Sequence, residues 1–412
     1  MEALADDQKR FAENRHDAMN TVSVNESELY FERGGPAYRF MQRVGVIQGE
    51  GPSVERRIVV SIAVTWVPLL VFAFLDGRAL GPTPRESMLL DFATYARFFL
   101  AVPLLMIADR VVGPRLTAAG LRFIRDGFVG QSDLSKFSTA VARVKQRREA
   151  LTPELIIAGI AFFGAWYLSV DQWYVGGTSS WKSLTLSSGG ISLAGVWHQC
   201  FAIPFLQFLF LRWIWRLAIW TLFLYEMTTL DLNLVVTHAD QAGGLGFLGT
   251  AHTFLGIFSF AMGAIVSADA AFRIYFEAAT IESFELIFIF CIVLNEIIFV
   301  GPLLVFLPAL FHARLEGLRQ YSVLTNQYNR AFHERWVKNE PLTQEPLLGT
   351  ADIQSLADLG NSFDRVRAMR DFPFGTRLIL QIAVMSALPA LPLLLLVMPL
   401  TQILKVLGEA IL

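Results

Sequence analysis

The chain has 412 residues, of which 54% are apolar and only 17% charged, and its formal net charge is −2. Soluble domains carry about 25% charged residues. Here the deficit falls in long uncharged runs, which excludes a string of soluble domains and indicates a polytopic membrane protein. The near-neutral balance gives no reason to expect nucleic acid as a partner.

Residues 1–57 are polar and mixed in charge and read as a cytoplasmic N-terminal segment, mobile over roughly its first 30 residues. The first apolar run is Ile58 to Leu75, closed by Asp76, Gly77 and Arg78. A second, short run from Ala93 to Ala108 is broken by Pro103, and a third extends from Leu155 to Val170. The fourth begins near Leu193 and stays apolar to Leu211, the fifth is Phe254 to Ala268, the sixth Leu286 to Phe311 and the seventh Leu378 to Leu400. A helix needs roughly 20 residues to cross about 30 Å of hydrocarbon. The expected fold is therefore all-α: about seven transmembrane helices, spans one to six within 58–311, and span seven with its tail in 378–412.

Lys and Arg set the expected orientation. The segments before span one, after span two and after span six hold 26 of them, and the alternate segments hold five. This asymmetry puts the N-terminus in the cytoplasm and the C-terminus outside. Helical cytoplasmic extensions are expected at 112–150, where apolar residues recur at helical spacing, and at 212–250. Residues 312–377 form a further cytoplasmic segment: an amphipathic helix at 312–340, then a loop, then a short helix IQSLADL capped by Asp352. All three extensions are expected to pack together. The tail LTQILKVLGEAIL reads as an interfacial helix. Cys200 and Cys291 both fall in apolar runs, so no disulfide framework is expected.

Past Leu211 the fourth run continues as RWIWRLAIWTLFLYEMTTLDL. Arg212 and Arg216 are one turn apart, among Trp213, Trp215 and Trp220. Either they anchor the helix at the inner headgroups, or they line an aqueous vestibule that attracts anions. His198 is five turns before Arg216 on the same face, near the outer end beside Trp197, where an interface role is expected. In span five, Gly256, Ser259, Gly263 and Ser267 make a small-residue packing stripe, and Asp269 and Arg273 are spaced to pair.

Two constellations could carry function. Asn295 and Glu296 lie halfway along span six, ahead of Gly301 and Pro302, where the helix should kink. A carboxylate in mid-membrane is a functional candidate by default; it either belongs to an ion or proton path or bonds a neighbouring helix, with Arg97 one candidate partner. The second is THADQAGGLGF at 237–247. Gly243, Gly244 and Gly246 permit positive φ, and successive N–H groups there could cradle an anion. His238 and Asp240 could instead bond the turn's own backbone. A metal would need His252 or Glu226 as further ligands, a weak pattern. No nucleophile–base pair stands out, so no catalytic residue, metal or cofactor is assigned, and an enzyme is disfavoured.

The stretches FLRWIWRLAIW (210–220), LDLNLVVTHADQAGGLGFLG (230–249), GPLLVFLPAL (301–310), LGTADIQSLADLGNSF (348–363) and MRDFPF (369–374) resemble a family of uncharacterised bacterial multi-pass inner-membrane proteins. The family's His-Pro-Asp is His238-Ala239-Asp240 here, and Gln241 stands where a basic residue is more frequent. The resemblance implies a bacterial inner-membrane location and brings no activity. The expected function is an ion channel or small-solute transporter, with a sensor or assembly protein signalling to a cytoplasmic partner as the alternative. An enzyme acting on a lipid or phosphorylated substrate ranks third. Membrane lipid, a second copy of the chain and a cytoplasmic protein are the candidate partners.

Overall fold

The computed structural model describes residues 26–31, 33–45, 54–174, 180–182, 191–338 and 351–393. The expected interfacial tail, the loop at 341–350, the last part of span seven and residues 1–25 lie outside these. Among the described residues there are no strands, only the isolated bridge Val129–Leu232.

The helices are α1 (Pro36–Arg43), α2 (Val54–Leu75), α3 (92–111), α4 (Gly113–Arg125), α5 (Leu134–Glu149), α6 (Leu151–Tyr174), α7 (Leu193–Thr228), α8 (Gly246–Glu277), α9 (Ile281–Lys338), α10 (Ala351–Arg367) and α11 (Thr376–Leu393). Five of them, α2, α7, α8, α9 and α11, are long and apolar enough to cross a membrane. A sixth candidate arises if Gln131–Glu149 and Leu151–Tyr167, bent by 45°, count as one span. The protein is thus a multi-pass helical membrane protein.

The short second run is not among these candidates. Its helix, α3, contains a π-helical stretch at Ala96–Ala101 and ends on buried Asp109. It still runs antiparallel to α2. Asp109 at its end pairs with Arg57 at the start of α2, and the backbone leading into α3 bonds the loop after α2, Leu89 N–H to Ala79 C=O. α3 packs along α2, with Phe98, Ala101, Val102 and Leu105 buried and Phe99 and Leu100 exposed.

The 36-residue α7 is about 54 Å long and the 58-residue α9 about 87 Å, so both outrun the hydrocarbon. As the Gly301-Pro302 pair led one to expect, α9 tightens into a 3-10 stretch at Gly301–Phe306 before resuming at Leu307. The small-residue stripe of α8 packs on α11. A Cβ at Gly263 would overlap the Ser386 backbone oxygen, and one at Gly256 would meet Met385 at 3.1 Å.

The extensions pack around two centres, which touch where Gly317 of α9 meets Val236 and where Arg370 bonds Asp240. α4 and α5 join the lower half of α7 in an aromatic core in which Phe123, Phe137, Phe223 and Trp220 are fully buried. Part of the N-terminal segment belongs to this core: Leu29 and Phe31 are buried, and Phe31 meets Trp220 edge to face. The lower half of α9 pairs with α10 and keeps Leu315, Val323, Leu324 and Ile353 exposed. Asp352 lies inside the first turn of α10 and is not its cap; its carboxylate takes Trp336 Nε1 at 3.1 Å and Arg335 at 3.2 Å.

Candidate functional site

The turn at 237–247 closes on itself. Asp240 receives the backbone N–H groups of Ala242 (2.8 Å), Gly244 (3.1 Å) and Gly246 (2.8 Å), and His238 Nδ1 lies 2.8 Å from its Oδ1. Of the two readings the sequence allowed, an external anion or the turn's own carboxylate, the second is observed: Asp240 fills the nest. Burial alone would raise the Asp240 pKa; the N–H groups of Ala242 and Gly246, His238 and Gly244 outweigh it and hold the acid below its ordinary range. Gln241, Gly243 and Gly244 all have positive φ, and a Cβ on Gly244 would come within 2.7 Å of the Phe128 ring. Arg370, from the MRDFPF stretch, donates to Asp240 C=O (2.6 Å) and Phe374 C=O (2.7 Å) and so ties the turn to the start of α11.

The further metal ligands weighed from sequence lie elsewhere. His252 is buried between Trp220 Nε1 (2.8 Å) and the Phe299 carbonyl (2.7 Å). Glu226 pairs with Arg147 at 2.9 Å. Among the described residues no group of three or more His, Cys, Asp or Glu could hold a metal ion.

Arg212 and Arg216 do not meet headgroups. Each is only 4% exposed. Arg216 binds Asp109 Oδ1 at 2.5 Å, and Arg57 binds Oδ2 of the same carboxylate at 2.6 Å. Arg212 pairs with Glu154 at 3.3 Å and reaches the Gly34 carbonyl, while Glu154 also accepts the Ala37 N–H at 2.6 Å. The tryptophans turn inward with them: Trp213 Nε1 bonds Leu105 C=O and Trp220 is fully buried. Two carboxylates brought in by other helices make burial of these arginines cheaper than exposing them to lipid. The partners Arg57, Asp109 and Glu154 were missed from sequence because they lie on three other helices.

Glu296 presents the opposite situation. Its carboxylate is shielded and has no side-chain partner, and the Ala383 backbone of α11 is the polar group beside it. Arg97, the partner considered from sequence, lies beside Asp91 instead. Asn295 is completely buried; its amide donates to Ser386 Oγ at 2.9 Å, whereas its Oδ1 has no partner. Ser386 in turn donates to Ile382 C=O. The hydroxyls of Ser259 and Ser267 on α8 are also buried and unpartnered. A seam of unused polar atoms therefore runs where α8, α9 and α11 meet, just ahead of Pro302.

At the other end of α7, Asp91, Arg97, Lys182 and His198 come together around Trp181. His198 sits in a π-helical stretch, His198–Ala202, as Arg97 does in Ala96–Ala101. Each stretch runs into a proline, Pro103 or Pro204, which cannot donate to the preceding turn. The matching Ala-Val-Pro (101–103) and Ala-Ile-Pro (202–204) was the sequence signal that could have revealed this pair. Asp269 and Arg273 pair at 3.0 Å, as their spacing suggested.

No protein-family model, no curated protein and no solved structure matches the chain.

Proposed function

We propose that this protein is a channel or transporter for an ion or small solute, and that its path passes Glu296 and Asn295. The observation that carries this reading is the Glu296 carboxylate: shielded, without a side-chain partner and set partway along an apolar helix segment. Such a group is costly in hydrocarbon, and it becomes tolerable when it can take up a proton or another cation. Asn295 Oδ1 offers a second unused acceptor, and the 3-10 stretch at Gly301–Phe306 supplies a break in the helix beside it. Pro302 belongs to this reading as the residue that imposes the break. Arg212 and Arg216 do not, because their charges are held by Asp109 and Glu154.

The same proposal places the chain in a bacterial inner membrane with seven passes, the Asp240 turn and the α9–α10 pair facing the cytoplasm. The Lys and Arg asymmetry of 26 against five supports that orientation. So does the way the ends of α2, α3, α6, α7, α8, α9 and α11 alternate between the two ends of the bundle. The family resemblance supports the location. A second reading, a sensor that passes a signal to a cytoplasmic protein, is favoured by the exposed apolar side chains on the α9–α10 pair.

Ion flux from liposomes holding the purified protein, read from acid to neutral pH, tests the proposal. Wild type should conduct in a pH-dependent manner and Glu296→Gln should not. Folded protein that carries no flux under any imposed gradient would refute conduction and favour the sensor.

A further inference from the structure

The cluster around Trp181 has more positive charge than it can neutralise. Trp181 is 3% exposed and fixed from three sides: its N–H bonds Arg85 C=O at 3.0 Å, its C=O takes Ser192 Oγ at 2.8 Å, and its indole Nε1 donates to Asp91 Oδ2 at 3.1 Å. The next residue is held too, Lys182 C=O accepting the Ser192 N–H at 3.0 Å, and Gly195 leaves no room for a side chain against that carbonyl. Asp91, the cluster's carboxylate, is committed: beyond Trp181 it accepts Thr94 N–H at 3.3 Å and Thr94 Oγ1 at 2.9 Å. Arg97 and Lys182 act on it electrostatically but neither forms an ion pair with it. Lys182 instead lies 5.1 Å from the Trp181 ring centre, and burial depresses its pKa despite Asp91 and Asp269.

His198 faces the same cations. Its ring is 4% exposed, edge-on to Trp181 (5.3 Å) and Phe98 (6.3 Å), and neither nitrogen has a hydrogen-bond partner. A buried imidazole always carries at least one N–H, and a buried N–H left without an acceptor is destabilising. Two π-helical stretches, a device frequent at functional sites, converge to bring Arg97 and His198 to this point.

We infer that this cluster is a binding site for a monoanionic oxyanion, a carboxylate or a phosphate, held by Arg97, Lys182 and an N–H of His198. Asp269, the other acid whose field reaches Lys182, is paired with Arg273 at 3.0 Å, so Arg97, Lys182 and Arg273 against Asp91 and Asp269 leave room for a single negative charge, and Arg97, Lys182 and the His198 N–H all offer donors to it. A cation is disfavoured by the same count. The site lies at the end of α7 opposite the Asp240 turn and is independent of the conduction path argued for Glu296. The oxyanion could be free in solution or be the phosphodiester of a lipid, since both present the same chemistry.

Thermal unfolding of the full-length protein in phosphatidylcholine nanodiscs, titrated with sodium acetate or sodium phosphate at constant ionic strength, tests this inference. A ligand that binds only the folded state raises Tm saturably. Wild type should show such a rise, and Lys182→Met and Arg97→Gln should each shift its midpoint by about tenfold or more. Both side chains are only partly buried, so these variants should fold; His198→Asn is the third. Discs with added phosphatidylglycerol separate the sources. If that lipid raises the Tm of wild type, blocks the acetate response and does neither in the variants, the oxyanion is a headgroup. Equal midpoints in wild type, Lys182→Met and Arg97→Gln would overturn the site. So would the absence of any saturable response in both kinds of disc.

Discussion

At one end of α7 three guanidiniums, those of Arg57, Arg212 and Arg216, are each held in an ion pair with the carboxylate of Asp109 or Glu154. At the other end neither Arg97 nor Lys182 forms an ion pair with Asp91, the carboxylate between them, which Trp181 and Thr94 already engage. Both clusters are assembled from residues far apart in sequence, and both sit where apolar helices meet. They differ in whether the charges are answered from within the chain. A buried charge answered by its own protein fastens helices; one left unanswered stands ready for something from outside. The Asp240 turn belongs with the first kind, since its N–H groups close on the chain's own acid, and Glu296 belongs with the second.

Substitution should break this contrast at the paired end first. Asp109→Asn leaves Arg57 and Arg216 buried without their counter-charge, and loss of such a partner typically costs about 3–5 kcal/mol. A large drop in Tm, or failure to recover folded protein, is expected; a Tm within a degree or two of wild type would show that the cluster is not structural. Gly263→Ala forces α8 away from the Ser386 backbone, and overpacking of this kind costs about 1–3 kcal/mol. Denaturation in detergent should rank it below Asp109→Asn.

The turn supplies a pH test. The Asp240 pKa is lower folded than unfolded, so its contribution is complete above the unfolded value near 3.8 and is lost as pH falls through the folded one. Asp240→Asn should therefore be less stable than wild type at neutral pH, by about 1.5–3 kcal/mol before allowance for its partial exposure. The gap should close in strongly acid solution. A gap that stays constant with pH would mean that Asp240 acts through shape and not charge.

The unanswered groups should behave differently. Glu296→Gln removes a carboxylate that has no side-chain partner, so Tm should hold or rise even where flux is lost. A marked fall in Tm would mean that Glu296 has a structural partner and would blunt the contrast. The smallest effect is expected at the solvent-facing pair: Arg273→Gln should change stability by less than about 1 kcal/mol, because both members are roughly half exposed.

Read by itself, the sequence determined what depends on neighbours along one helix. Apolar runs of sufficient length mark the passes, Gly301-Pro302 marks a break in α9, the glycine–serine stripe marks a packing face and Asp269–Arg273 a pair. Each follows from helical spacing or from proline's missing N–H, which are local properties. It also singled out Arg212, Arg216, His238, Asp240, Asn295 and Glu296 as residues to explain. What only the tertiary structure decided was which of them are satisfied. Asp109 is 107 residues from Arg216 and 52 from Arg57, so no pattern along the chain could show that one carboxylate holds both. The arginine pair consequently read as a headgroup anchor when it is a buried fastening. For the turn the sequence left two readings, an anion nest and a carboxylate that bonds its own backbone, and the structure shows the second, because glycine spacing reveals that N–H groups can converge but not what occupies them. The Trp181 cluster escaped notice for the same reason: its four members come from three segments, and burial without a partner exists only once helices are packed.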